Sequence, residues 1–198
     1  MKNWFLGKTL MLLFSFLFLI GACVQKNGEP DSSIKNHRIS FAESDSINIS
    51  FPKSWIGNWK GELVIDNTEK DTTMQIHMEL NIAPSQQSGR WKWQLVYNGS
   101  PRDYELVAFK TEEGYFKMDE QNTIVLDQQL FGNTFISRYD VAGNLILVSN
   151  KLLGNEMLFE VIFSRSDSVN ITGGEGDVPQ VKSYPISVYQ RAVLRREE

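Results

Sequence analysis

Three Gly-Asn pairs, Gly132-Asn133, Gly143-Asn144 and Gly154-Asn155, follow one another at intervals of eleven residues, and no other feature constrains the chain as strongly. Glycine and asparagine tolerate the positive φ angles that a two-residue hairpin turn requires. The nine residues between turns are strand-length, so segments near 123–131, 134–142, 145–153 and 156–164 are predicted to be consecutive antiparallel strands.

Earlier in the chain the same architecture is written in alternation. In Met74-Gln75-Ile76-His77-Met78-Glu79-Leu80-Asn81-Ile82 every second residue is apolar, the mark of a half-buried strand. Trp91 to Tyr97 nearly keeps the rule and runs into Asn98-Gly99, a strong hairpin signal, with Tyr104 to Phe109 as the return strand. Further strands near 57–66, 114–118 and 184–195 bring the total to about ten, with no convincing helix beyond the first residues. The prolines agree. Pro52, Pro84 and Pro101 fall at predicted strand ends, and Pro179 and Pro185 flank the last strand, where no ladder hydrogen bond is lost. Gly173-Gly174-Glu175-Gly176-Asp177 is the longest candidate loop. Short connections between sequential strands predict an all-β fold, an antiparallel up-and-down β-barrel of about eight to ten strands, because closure removes exposed sheet edges.

The N-terminus reads differently. Lys2 and Lys8 precede an uncharged run from Leu10 to Ile20, which is shorter than the roughly 20 residues of a transmembrane helix and has the form of a signal-peptide core. The run ends in Leu19-Ile20-Gly21-Ala22-Cys23, which resembles the lipobox of bacterial lipoproteins. The resemblance implies that residues 1–22 are removed and that Cys23 is lipidated as the first mature residue. Anchoring on more than one acyl chain is effectively stable, at about 0.8 kcal/mol per buried methylene. The expected location is therefore the cell envelope, tethered to a membrane, the outer one in a Gram-negative cell. Cys23 is the only cysteine, so no disulfide can form within one molecule. Residues 23–51 are polar and aperiodic and read as a flexible tether, leaving 52–198 as one barrel domain. The formal charge of −4 becomes more negative once Lys2 and Lys8 are lost, so nucleic acid is not an expected partner.

Trp55-Ile56-Gly57-Asn58-Trp59-Lys60-Gly61 at the first strand, with Val188-Tyr189-Gln190-Arg191-Ala192-Val193-Leu194-Arg195-Arg196 at the last, resembles the calycin superfamily of lipocalins and fatty-acid-binding proteins. The resemblance implies a lipocalin-like barrel whose floor is made by Gly57 and Trp59, with Arg191 or Arg195 packing across the indole. Trp55, ahead of the strand, is expected to contribute less than Trp59. Two departures argue against a fatty-acid ligand. Ser187 stands where the fatty-acid-binding proteins carry the Arg of Arg-x-Tyr, and no helical lid fits between Asp66 and Thr73.

Chemistry-bearing sets are scarce. The histidines are His37, in the tether, and His77, which alternation turns away from the apolar face, so no metal, haem or other cofactor is expected. Asp119-Glu120 reads as a polar hairpin tip, since neighbours on a strand face opposite sides. No catalytic triad can be assembled, and the chain is not expected to be an enzyme. The aromatic residues on interior phases are more informative: Trp91, Trp93, Tyr97, Tyr104, Phe135, Tyr139, Phe159 and Phe163. Phenol hydroxyls facing an apolar interior need partners, which makes Tyr97, Tyr104 and Tyr139, with Trp93, the candidate ligand-binding residues. The expected function is binding of a small, largely apolar molecule. The alternative is a filled barrel serving as a protein-protein interaction module, an accessory subunit or inhibitor of an exported enzyme. A cavity of about 300 Å³ or more favours the first, and an exposed apolar patch on a filled barrel favours the second.

Overall fold

The computed structural model describes residues 50–198. Cys23, His37 and the signal-like segment lie outside the described residues, as does the tether up to residue 49. Ten antiparallel strands close into one barrel. In chain order they begin with β1 (Gly57–Asn67), β2 (Thr72–Pro84), β3 (Arg90–Tyr97), β4 (Ser100–Lys110) and β5 (Tyr115–Asp119). The meander continues through β6 (Val125–Phe131), β7 (Thr134–Val141), β8 (Asn144–Leu153) and β9 (Glu156–Arg165). A separate two-stranded excursion, β10 (Asn170–Thr172) and β11 (Val181–Ser183), precedes β12 (Ile186–Arg196). Each barrel strand pairs with its neighbour in sequence, and β12 closes the ring against β1 through pairs from Trp59↔Arg196 to Asn67↔Val188. All ten predicted strands are present. The β10–β11 hairpin is the addition, and three-residue strands are too short to carry a period.

The turns follow the sequence with one shift. Gly132-Asn133 and Gly154-Asn155 each connect two strands with a positive φ on the glycine, and Asn98-Gly99 has both φ values positive, at 47° and 78°. The middle turn is Ala142-Gly143 rather than Gly143-Asn144. Ala142 takes the left-handed φ of 49°, and the Asn144 side chain donates back to the Ala142 carbonyl at 3.2 Å. The asparagine thus braces the turn instead of forming its corner.

Alternating strand directions sort the connections. Those at 67–72, 97–100, 119–125, 141–144 and 165–186 gather at one end of the barrel, and the start of β1 and end of β12 lie at the other. The second end is sealed. Ser50–Ile56 folds across it in a tight turn held by Ser54 N–H to Ser50 O at 3.0 Å and Trp55 N–H to Pro52 O at 2.9 Å. This turn inserts Phe51, whose ring meets Trp91, Phe116 and Phe135 edge-on at 4.7, 5.2 and 5.1 Å. Phe51 therefore belongs to the barrel and not to the tether. It ends the short alternation Ile47-Asn48-Ile49-Ser50-Phe51, a period-two signal too brief to place it in the barrel. Phe51 is partly buried, whereas Trp55 is fully buried, against Phe135 at 5.0 Å and Trp93 at 6.2 Å, contrary to its expected minor role.

Trp59 is fully buried, and its indole N–H donates to the Trp55 carbonyl at 3.0 Å. The cation across its face is Arg196, 4.4 Å from the ring centre, and neither Arg191 nor Arg195. Register explains the correction. Trp59 stands opposite Arg196 on the interior phase of β12, together with Ala192 and Leu194, so residues 191, 193 and 195 face outward. Arg195 pairs with Glu156 on the surface and Arg191 with Asp66. Gly57 lies beside the Arg196 stem, 3.7 Å from where a Cβ would be. Gly61, next on the same face of β1, allows the closest approach in the barrel: a Cβ there would sit 2.4 Å from the Val193 carbonyl.

Candidate functional site

At the open end, opposite Trp59, a half-enclosed cleft of about 80 Å³ enters the barrel. Its position follows from where the alternation places large and small side chains. Beside β1, β2 and β12 the interior is filled by Leu63, Met78, Leu80, Ile82 and Leu194. Across the barrel, between β3 and β9, the interior phases carry Gln128, Ser137 and Asn150 among larger residues, and space remains.

Rings supply the walls. Trp93, Tyr104, Tyr139 and Phe159 line the cleft, with Met118 and Leu126 between them. Burial pushes the Tyr139 hydroxyl up to about 12, with the Glu120 carboxylate and Tyr104 adding to the effect. The Tyr104 hydroxyl is raised as well, first by burial and then by Glu120, with the neighbouring Arg102 guanidinium pulling the other way. Both phenols therefore stay protonated at neutral pH and can donate. Tyr97 is not a lining residue. It packs against the core nearby, its hydroxyl also raised by burial, with the Arg102 guanidinium 5.3 Å from its ring centre.

Polar groups converge within these walls. Gln128 and Asn150 are buried, at 6% and 3% exposure, and the side-chain carbonyl oxygen of each has no hydrogen-bond partner among the described residues. An unsatisfied buried polar group costs about 1–3 kcal/mol, so two such amides beside one cleft mark a place where a hydrogen-bonding partner is missing. Ser137 does not supply it, because its hydroxyl donates to the Asp127 carbonyl at 2.6 Å. At the rim stands Glu120, whose carboxylate meets only the Asn122 amide at 3.4 Å among the described residues. Asp119 faces outward and accepts from the Gln121 N–H at 2.9 Å.

Of the residues expected at a ligand site, the structure brings Trp93, Tyr104 and Tyr139 together and leaves Tyr97 beside them. Glu120 sits in the β5–β6 connection, the polar hairpin tip expected of it, and there also lines the cleft. Gln128 and Asn150 were missed. A signal for them exists, since each interrupts an otherwise apolar interior phase: Leu126-Gln128-Leu130 on β6 and Val148-Asn150-Leu152 on β8. His77 lies on the outer surface between Glu62 and Glu79, 3.3 Å from each.

No family model matches this sequence, and no curated protein is detectably similar to it. Solved structures are similar in fold. A protein of unknown function from the DUF3598 family of Nostoc punctiforme aligns with a TM-score of 0.55 and 9% identity over 73% of this chain. This chain spans about half of that protein, 48% of its length. An S-type phycobiliprotein lyase from Guillardia theta aligns with a TM-score of 0.50 and 11% identity, over 74% of this chain and 90% of the lyase. At such identities the likeness concerns the barrel alone.

Proposed function

We propose that this barrel binds one small, largely apolar ligand with a hydrogen-bonding head in the cleft at its open end. The observation that carries the reading is the pair of buried side-chain amides, on Gln128 and Asn150, left without hydrogen-bond partners among the described residues beside a ring-walled cleft. A barrel evolved only as a packed scaffold gains nothing from them, because apolar residues of the same size would remove the penalty. The size of the cleft limits the ligand. Its 80 Å³ falls below the roughly 300 Å³ of sites for drug-sized molecules, yet has room for about five to eight waters at ~10–15 Å³ each. A compact molecule fits, as does the head of a longer one whose remainder stays at the rim. The calycin-like architecture and the likeness in fold to a phycobiliprotein lyase are compatible with such a role and carry no reaction to this chain.

The side-chain amide signals of Gln128 and Asn150 give a direct test by nuclear magnetic resonance with small phenyl-bearing compounds as probes. Binding compounds should shift these signals and leave those of surface amides in place. Replacing Tyr104 and Tyr139 together with Phe should then weaken binding by up to roughly tenfold, the loss of about 0.5–1.5 kcal/mol of neutral hydrogen bonding, with little change in stability. Failure of every probe to move either amide at millimolar concentration would sink the reading.

We propose further that the chain is exported and held at a bacterial membrane through lipid on Cys23, for which the five residues ending in Cys23 and the apolar run before them are the support. Cys23→Ser should abolish acylation and move the protein from the membrane fraction to the soluble one, leaving the barrel folded. An unchanged membrane fraction for that variant would refute the anchor.

A second reading, an interaction module, is favoured by the excursion at the same end. Ile171, Val178 and Val181 on the β10–β11 hairpin, and Tyr184 and Ile186 beyond it, are all exposed large apolar residues.

A further inference from the structure

We infer that the ligand's head is an uncharged hydrogen-bond acceptor, a carbonyl oxygen on an apolar stem, received by the side-chain N–H2 groups of Gln128 and Asn150. The inference deepens the ligand-binding reading and rests on it. Its first support is which half of each amide meets the cleft. The Gln128 and Asn150 oxygens are shut inside the wall, with no accessible surface and no hydrogen-bond partner among the described residues. The N–H2 groups are the halves left open to the cleft, and neither donates to a described residue. What the two side chains offer a ligand is therefore donors. A leucine at either position would avoid the cost of the enclosed oxygen, so the use of an amide there lies in the N–H2 that remains.

The phenols repeat the sign. The Arg102 guanidinium reaches the Tyr104 hydroxyl and can only donate to it, so the proton of Tyr104 is directed elsewhere. The Tyr139 hydroxyl lines the same cleft, has no hydrogen-bond partner among the described residues and keeps its proton at neutral pH. Donor-bearing side chains thus reach one space from β4, β6, β7 and β8. Charge then decides between kinds of acceptor. Among the lining residues only Glu120 is charged, and Arg102 stays outside the lining, over the Tyr97 ring. A carboxylate head would give up its water, meet no lining cation and face Glu120. A carbonyl oxygen accepts the same hydrogen bonds and carries no charge. A hydrocarbon would displace water from the N–H2 groups and replace none of its hydrogen bonds.

Acetophenone, α-methylstyrene and benzoate have the same number of heavy atoms and nearly the same planar outline, near the capacity of the cleft. They differ in what they hold toward the amides: a neutral acceptor, a methylene group and an anion. Titrations of the protein at neutral pH, followed by nuclear magnetic resonance at the Gln128 and Asn150 N–H2 signals and the Trp93 indole N–H, give the three affinities at this site. Acetophenone should bind about tenfold more tightly than α-methylstyrene, the gain of one or two neutral hydrogen bonds, and more tightly than benzoate. Gln128→Leu and Asn150→Leu keep the bulk of the side chain and remove the donor. Each should bring acetophenone down toward α-methylstyrene and leave α-methylstyrene unchanged, and the comparison of probes on the unaltered protein holds whether or not these variants fold. Glu120→Gln should strengthen benzoate and leave acetophenone unchanged. Equal binding of acetophenone and α-methylstyrene, or an acetophenone affinity indifferent to both leucine variants, would overturn the inference while leaving a ligand site intact. Benzoate as the tightest of the three would overturn it too, and would assign the donors to a carboxylate. If none of the three moves the amide or indole signals at millimolar concentration, the ligand-binding reading falls as well.

Discussion

Trp55→Ala should cost about 3–5 kcal/mol of stability, the range for a large aromatic truncated in a core, and should equal or exceed the cost of Trp59→Ala. Trp55 is fully buried although it precedes the first strand. It is placed there by the Ser50–Ile56 turn, and its ring packs on Phe135, Trp93 and Phe51. Removing it would open a void at the sealed end and loosen the carbonyl that accepts the Trp59 indole N–H at 3.0 Å. The Trp55 indole N–H is itself buried without an acceptor among the described residues. Trp55→Phe therefore keeps most of the packing and deletes an unpaired donor, so it should cost much less than Trp55→Ala. Urea unfolding of the three variants, with unchanged slopes, gives the comparison. A Trp55→Ala midpoint closer to wild type than to Trp59→Ala would mean that the segment before β1 is not the floor.

The barrel was legible because its strands obey two local rules, alternation and turn chemistry, and both are printed in the sequence. Met74 to Ile82 and the Gly-Asn spacing place strands without reference to anything distant. Local rules stop where contacts are made across the barrel. Trp55 belongs to no periodic run and Phe51 only ends a short alternation from Ile47, and only the closed barrel gives them an interior to fill. Alternation on β12 separates Arg196 from Arg195, but its phase is set by pairing with Trp59, a partner 137 residues away in the chain. The cleft shows the same division. Interior phases for Trp93, Tyr104 and Tyr139 follow from each strand alone, whereas the gathering of Gln128, Asn150 and Glu120 around one space depends on three strands and on which neighbours are large. Tyr97 shares the interior phase of Trp93 and still misses the lining, because alternation assigns a face and not a height.

Arg196→Ala should lower stability by about 2–4 kcal/mol, whereas Arg191→Ala and Arg195→Ala should move the unfolding midpoint little. The three residues sit within six positions of the same strand and carry the same charge, so the comparison isolates environment. Arg196 lies on the Trp59 indole at 4.4 Å and donates to the Ile56 carbonyl at 3.1 Å and to the Ser54 carbonyl. A desolvated cation over an indole contributes about 2 kcal/mol, and a hydrogen bond from a charged donor about 1.5–3 kcal/mol. Partial exposure and non-additivity bring the expected total below the sum of those values. Both carbonyls belong to the segment that closes the barrel, so this one side chain joins the last strand to the turn before the first. Arg191 and Arg195 are exposed, each with a carboxylate across a strand pair, and exposed pairs of this kind contribute little. Arg196→Lys separates charge from shape. An ammonium keeps the positive charge but cannot lie flat on the ring while reaching two carbonyls, so Lys should recover less than half of the loss. Full recovery with Lys would reduce Arg196 to a point charge, and an Arg196→Ala midpoint matching that of Arg195→Ala would remove it from the floor altogether.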